Sequence, residues 1–215
     1  MKRRFLPVAV AITASTALLL TGCGSSGGDD DSLGKAKGTG GGGEDASAPA
    51  SPSPKPAGIK RPEVKLPKSF QVEFAGWTNS DPKLQAIMDD GKERLLASYA
   101  AIIKGDPQHS ALAYYSEGDA LRTGTAWVKG FSDRDLTLIG KGRVYQPQPR
   151  ISPDGSGTLF YCVDEGKGST KDTKTGKVTA TPAGDAFVLY RTKLRKTDEG
   201  VWKTTMVQTE RRACK

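Results

Sequence analysis

Apolar residues recur at three- and four-residue spacing between residues 82 and 104, which predicts the longest helix of the chain. The side chain of Asp81 can cap the first turn, Pro82 suits the first helical position, and Gly105 follows the last turn. One face of this helix should therefore pack against a core. Its apolar positions are Leu84, Ile87, Met88, Leu95, Tyr99, Ile102 and Ile103.

Two shorter helices are expected after it, at residues 108–116 and 119–131. Beyond them the chain changes to segments that are rich in β-branched and aromatic residues and bounded by turn residues. The turns Ser152–Gly155 and Thr197–Gly200 end in glycine and predict two hairpins. The polar stretch 164–184 is expected to form the tip of a ragged hairpin or a mobile loop. The predicted strands cover residues 136–145, 157–163, 186–196 and 201–210.

Helices followed by strands are the order of an α+β domain, with N-terminal helices on one face of a curved antiparallel sheet. The motifs Tyr190-Arg191 and Gly200-Val201-Trp202-Lys203 resemble those of nuclear transport factor 2 (NTF2) and its SnoaL-like and ketosteroid-isomerase-like relatives. The resemblance implies the cone-shaped NTF2-like fold. Tyr161-Cys162-Val163-Asp164, Thr175-Gly176-Lys177 and a cysteine next to the C-terminus more narrowly resemble secreted lipoproteins of actinobacteria.

The N-terminus has the layout of a signal peptide. Lys2-Arg3-Arg4 precedes an uncharged run from Phe5 to Leu20, which as a helix would reach about 24 Å and fall short of a bilayer core of about 30 Å. Leu20-Thr21-Gly22-Cys23 resembles a bacterial lipobox. The resemblance implies that residues 1–22 are removed, that Cys23 carries a diacylglycerol, and that the protein is lipid-anchored at the extracytoplasmic face of the cell membrane.

Residues 23–66 are expected to be the lipidated cysteine and a disordered linker. Of the 43 residues from Gly24 to Leu66, 26 are Gly, Ser, Pro or Ala, and none is aromatic. Such a composition cannot bury enough apolar surface to fold. The folded domain is therefore expected at residues 67–215.

The chain has a formal net charge of +8. Within residues 67–215 there are 23 Lys and Arg against 18 Asp and Glu, a mild excess that suits a solvated basic face. Export disfavours nucleic acid as a partner. The partners left open are a cell-wall polymer, a small apolar ligand and a secreted protein, besides the membrane reached through the lipid anchor.

Two cysteines remain once Cys23 is assigned to lipid. Cys162 and Cys214 form an even pair in an oxidising compartment, so a disulfide is expected. The alternative is a reactive thiol, but neither cysteine has a CxxC partner.

Catalytic and cofactor signals are sparse. His109 is the only histidine and follows an Asp-Pro turn, which suits a helix start better than a catalytic base or a zinc ligand. The glycines around Lys141 and Lys167 do not complete a dinucleotide or phosphate-loop fingerprint. We therefore predict no catalytic residue, no cofactor and no metal site.

The resemblance also implies a pocket between the helices and the concave sheet face. Aromatic residues that could line it or fill it are Tyr99, Trp127, Tyr145, Tyr190 and Trp202. Carboxylates that could serve an enzyme are Glu117, Asp119, Asp135 and Asp185, none of which aligns to a family position. We expect a non-catalytic ligand-binding or scaffolding domain. The alternatives are a small SnoaL- or ketosteroid-isomerase-like enzyme that uses the pocket, or an accessory domain for a wall polymer or partner.

Overall fold

The computed structural model describes residues 60–214. The predicted signal peptide, the lipidation site Cys23 and most of the predicted linker lie outside the described residues. The last residues of that linker, from Arg61 to Leu66, contact the domain: Arg61 pairs with the buried Asp90, and Leu66 packs against the main core. Ordered packing therefore begins several residues before residue 67.

The described chain forms three helices and six strands. In chain order these are β1 (Phe70–Phe74), α1 (Pro82–Lys104), α2 (Ser110–Tyr115), α3 (Gly118–Ser132), β2 (Leu136–Ile151), β3 (Gly157–Asp172), β4 (Val178–Ala180), a 3₁₀ turn (Ala183–Asp185), β5 (Phe187–Lys196) and β6 (Trp202–Arg211). The predicted class is confirmed, because N-terminal helices pack on a curved sheet.

The sheet has the order β1-β2-β3-β5-β6, and the short β4 pairs with β3. The expectation of a purely antiparallel sheet was wrong at one edge, where β1 runs parallel to β2 and Phe70 pairs with Gly140. A parallel pair needs a long crossover connection, which the three helices provide. The other pairings are antiparallel, and register shifts in β2 and β6 interrupt the ladders.

Helix α1 has the predicted bounds. The Asp81 carboxylate accepts a hydrogen bond of 2.8 Å from the backbone N–H of Lys83, and Gly105 ends the helix with a φ of 64°. This left-handed conformation is the one that glycine adopts at little cost. Ile87, Met88, Leu95, Tyr99 and Ile102 are buried against the sheet or the other helices.

The strands extend beyond their predicted bounds. β2 continues to Ile151 and β3 to Asp172, so the polar stretch 164–184 is a paired arm. Within this arm Lys171 pairs with Val178 of β4. The polar composition hid these strands, because backbone hydrogen bonds between strands form without apolar side chains. Both predicted hairpin turns connect the strands they were expected to connect.

Candidate ligand-binding cavity

An open cavity of about 370 Å³ lies between the helices and one end of the sheet. Its apolar wall comes from β1, α1, α3 and β2, and consists of Phe70, Tyr99, Trp127, Phe131 and Leu138. The aromatic rings contact one another. The ring centroids of Phe70 and Tyr99 are 5.2 Å apart, those of Tyr99 and Trp127 are 6.4 Å apart, and those of Trp127 and Phe131 are 5.7 Å apart. Such a wall suits an apolar or aromatic body.

The opposite wall is polar. Its lining includes Ser169 and Thr170 near the end of β3, Thr179 in β4 and Thr181 beyond it. The 3₁₀ turn contributes Asp185. Because apolar and polar walls face each other, the cavity suits a ligand with one apolar side and a few hydrogen-bonding groups.

Glu165 and Arg211 add an ion pair to the cavity. Arg211 Nη1 lies 3.2 Å from Glu165 Oε2, and the side chain of Glu165 is 24% exposed. Burial raises the pKa of the Glu165 carboxyl above its ordinary value, and Arg211 opposes that rise. A carboxylate is an effective base near neutral pH only if its pKa approaches that pH, so the pairing with Arg211 matters to any acid–base role.

Tyr99 adds a phenol group to the lining of the cavity. Its side chain lies almost wholly out of solvent at 4% exposure, and its ring belongs to the aromatic wall. Burial raises the pKa of the Tyr99 hydroxyl well above its ordinary value. The hydroxyl therefore stays protonated at physiological pH and can donate a hydrogen bond.

The five aromatic residues proposed for the pocket separate into two groups. Tyr99 and Trp127 line the cavity, whereas Tyr145, Tyr190 and Trp202 do not. Tyr190 is buried and stacks on Tyr161 with the ring centroids 5.0 Å apart. Tyr145 lies in β2 opposite Cys162. Arg143 Cζ lies 5.3 Å from the centroid of the Tyr145 ring. Trp202 is buried at the start of β6.

The four proposed carboxylates all form ion pairs, and only Asp185 lines the cavity. Asp185 pairs with Arg212 at 3.0 Å. The other three pairs are Glu117 with Arg195, Asp119 with Arg122, and Asp135 with Lys174. The structure thus does not bring these carboxylates together.

His109 lies at the start of α2, away from the cavity lining. Its Nδ1 accepts a hydrogen bond of 3.3 Å from the backbone N–H of Ala111, which caps the helix. Its Nε2 lies 3.2 Å from Lys104 Nζ. Burial and the nearby Lys104 lower the pKa of His109, so the neutral form that caps the helix is favoured.

The predicted pairing of Cys162 and Cys214 is present as a disulfide with a Cα–Cα distance of 6.0 Å. It joins β3 to the segment that follows β6. Within residues 60–214 no cluster of three or more His, Cys, Asp or Glu residues could hold a metal ion. No helix in this same part of the chain is long and apolar enough to cross a membrane.

Sequence reasoning missed Glu165 and Arg211. Glu165 falls in Asp164-Glu165-Gly166, which has the composition of a loop, and its burial depends on the pairing of β3 with β5. Arg211 is one of two consecutive arginines at the end of β6, where a charged pair usually meets solvent. No local signal distinguishes either residue from an exposed charge.

Comparisons with known proteins give no family assignment. No protein-family model matches the chain, and no curated protein matches it in sequence. Similar solved structures include a ketosteroid isomerase-like protein from Erwinia carotovora atroseptica, which is 13% identical, covers 62% of this chain and 98% of its own, and has a TM-score of 0.43.

Two further similar structures come from Streptomyces. The protein Aln2 from a Streptomyces species is 12% identical and covers 62% of this chain and 94% of its own, with a TM-score of 0.43. A protein of the NTF2-like family from Streptomyces avermitilis is 10% identical and covers 61% of this chain and 99% of its own, with a TM-score of 0.39. Identities this low carry no activity from those proteins to this chain.

Proposed function

We propose that this protein is a bacterial lipoprotein, anchored through Cys23 at the extracytoplasmic face of the cell membrane, whose domain binds a small and largely apolar ligand without catalysis. The observation that carries the binding role is the open cavity with the apolar wall of Phe70, Tyr99, Trp127, Phe131 and Leu138. A filled interior would leave no room for a ligand, and would favour a role that depends on the outer surface alone.

The anchor rests on the lipobox-like Leu20-Thr21-Gly22-Cys23 after a short basic start. One acyl chain binds a membrane only marginally, so stable anchoring needs the two or three chains that a lipidated N-terminal cysteine carries. The intact mass of the membrane-extracted protein should begin at Cys23 with added acyl mass. A Cys23→Ala variant should leave the membrane fraction, and its retention there would contradict the anchor.

The charges of the cavity favour binding over catalysis. General acid–base catalysis by a carboxyl group needs that group within hydrogen-bond reach of the proton it transfers. In the described cavity Glu165 is paired with Arg211, and Asp185 is paired with Arg212. Both carboxylates are therefore engaged in ion pairs with arginine, and neither stands unpaired in the cavity.

Binding can be tested with N-phenyl-1-naphthylamine, a neutral aromatic fluorophore. The probe is titrated into the full chain carrying Cys23→Ser, which removes the acylated sulfur. Saturable fluorescence enhancement is expected, and Trp127→Ala should weaken the affinity about fivefold or more because it removes an aromatic contact.

Phe160→Ala is the matched control. Phe160 and Trp127 are both 37% exposed, but Phe160 does not line the cavity. Its truncation should leave the probe affinity unchanged. Equal loss of affinity in the two variants, or no saturable binding by the parent chain, would contradict a ligand-binding cavity.

A further inference from the structure

Two consecutive arginines at the end of β6 contact the polar wall of the cavity. Arg211 ends β6, and Arg212 follows it with a φ of 65°. Arg211 Nη1 donates a hydrogen bond to the carbonyl oxygen of Asp185 as well as to Glu165. The end of β6 therefore reaches across to the 3₁₀ turn between β4 and β5.

Arg212 contacts the same turn at two points. Its Nε donates to the carbonyl oxygen of Gly184 at 3.0 Å, and its Nη2 donates to Asp185 Oδ1 at 3.0 Å. Its backbone N–H also donates to the carbonyl oxygen of Phe187 at 2.7 Å. The two contacts of the guanidinium group thus fix both the orientation of the turn and its distance from the end of β6.

Apart from these arginine contacts and the 2.8 Å hydrogen bond from the backbone N–H of Glu165 to the carbonyl oxygen of Ala186, few contacts hold the turn. None of the residues Ala183–Asp185 is buried. Its neighbours Thr181 and Pro182 line the cavity, and the backbone N–H of Thr181 makes a bond of 3.3 Å to the carbonyl oxygen of Gly168. A segment with so few apolar contacts opens locally at low free energy unless other contacts restrain it.

The disulfide restrains the segment that carries Arg212. Cys214 is two residues beyond Arg212, is 7% exposed, and is bonded to Cys162 in β3. A disulfide ties the segment that carries it to the element on its other side. The bond to β3 therefore keeps the residues after β6 against the sheet, and Arg212 with them.

We propose that Arg212, held in place by the Cys162–Cys214 disulfide, is a positioning residue that fixes the wall of residues 178–186 over the cavity and so sets its affinity for ligand. This role deepens the proposed binding function and rests on it. The side chain of Arg212 is 73% exposed, and exposed ion pairs contribute little to global stability. Its loss should therefore loosen the wall without unfolding the domain.

Hydrogen–deuterium exchange of the full chain measures the wall directly. In Arg212→Ala the amides of residues 178–186 should exchange about threefold to tenfold faster, while those of α1 keep their parent rates. Arg212→Lys should not restore protection, because an ammonium group cannot reproduce the two fixed contacts of the guanidinium fork. A double variant, Cys162→Ala with Cys214→Ala, should increase exchange in the same residues.

Arg195→Ala is the matched control. Arg195 makes a two-point contact with Glu117, at 2.7 and 2.8 Å, near the other end of β5. Its loss removes an equivalent exposed ion pair without touching the wall. Exchange in residues 178–186 and the affinity for N-phenyl-1-naphthylamine should both stay at the parent values.

The two measurements separate this proposal from the binding function. Unchanged exchange of residues 178–186 in Arg212→Ala would overturn the positioning role, whatever the probe does. Faster exchange with parent-like probe affinity would also overturn it and leave the binding function standing. If the parent chain does not bind the probe, the binding function fails, and the link to affinity fails with it. Faster exchange together with an affinity weakened about threefold or more would support the proposal.

Discussion

Trp202 and Trp127, two of the three tryptophans of the chain, differ in burial and in surroundings. Trp202 is 4% exposed at the start of β6, and its backbone N–H donates a hydrogen bond of 2.8 Å to the buried carboxylate of Asp90. Trp127 is 37% exposed in α3 and lines the cavity. The region around Trp202 is filled, whereas the region around Trp127 is open.

The difference lies in what faces each ring. Gly157 lies against Trp202, and a Cβ at that position would come within 2.9 Å of Trp202 Cζ3 and 3.1 Å of Ile87 Cδ1. Trp127 faces the cavity, whose far wall is the polar arm of β3 and β4. Two residues of one type therefore serve packing in one region and a binding surface in the other.

Truncating the two tryptophans should give the largest difference in the free energy of unfolding between the two regions. Trp202→Ala should lower the free energy of unfolding by about 3–5 kcal/mol, because it leaves a cavity in a filled core. Trp127→Ala should cost about 1 kcal/mol or less, because its ring already borders open space. Urea denaturation of the full chain measures both values.

The order of the two losses is the critical result. Similar losses for Trp202→Ala and Trp127→Ala would mean that the cavity region is packed as tightly as the region around Trp202. The slope of free energy against urea concentration must stay constant for the comparison to hold, since a change would mean that the unfolded state had changed.

Adding a methyl group should test how tightly the region around Trp202 is packed. Gly157→Ala should destabilise the domain by about 1–3 kcal/mol, because the new methyl group meets Trp202 and Ile87. Gly130→Ala is the control: it lies in α3 with nothing within 4 Å of its would-be Cβ. It should stabilise the domain by about 0.5–1 kcal/mol through helix propensity. An unchanged free energy of unfolding for Gly157→Ala would show that Trp202 and Ile87 can move aside at little cost.

The smallest expected effect concerns pH. Burial raises the pKa of Glu165 in the folded state, so ionisation of this carboxyl destabilises the fold relative to the unfolded chain. The stability of the parent protein relative to Glu165→Gln should therefore decline as pH rises above about 4.3, the ordinary glutamate pKa. The decline should end once the pH exceeds the raised pKa of the folded state. Urea midpoints measured from about pH 4 to 8 would test it.

Glu117→Gln should give the opposite sign. The hydrogen bond from Arg195 lowers the pKa of Glu117 in the folded state. The stability of the parent relative to this variant should rise with pH up to about 4.3 and then level off. Parallel pH profiles for the two variants would contradict a cavity environment that distinguishes Glu165 from Glu117.

The sequence predicted those parts of the fold that carry their signals locally. Helix α1 has a cap at Asp81 and a stop at Gly105, so both bounds could be read from neighbouring residues. β1 was missed because it is five residues long and pairs with a distant strand. Glu165 was missed because its burial is set by strand pairing and by the wall beyond it. Whether an aromatic residue fills or lines a space depends on its neighbours in three dimensions, as Trp202 and Trp127 show.

The parallel pairing of β1 with β2 has a consequence in terms of chain entropy. Phe70 pairs with Gly140, seventy residues later, whereas β5 and β6 are joined by five residues. Loop-closure cost grows as (3/2)RT ln n, so closing the longer loop costs about 2.3 kcal/mol more than closing the turn. Burial of Phe70 and partial burial of Val72 and Phe74 can offset this, at about 1.5–3 kcal/mol for each fully buried side chain. The edge strand is thus held in the sheet by what its side chains bury, while the hairpin strands are held by their closeness along the chain.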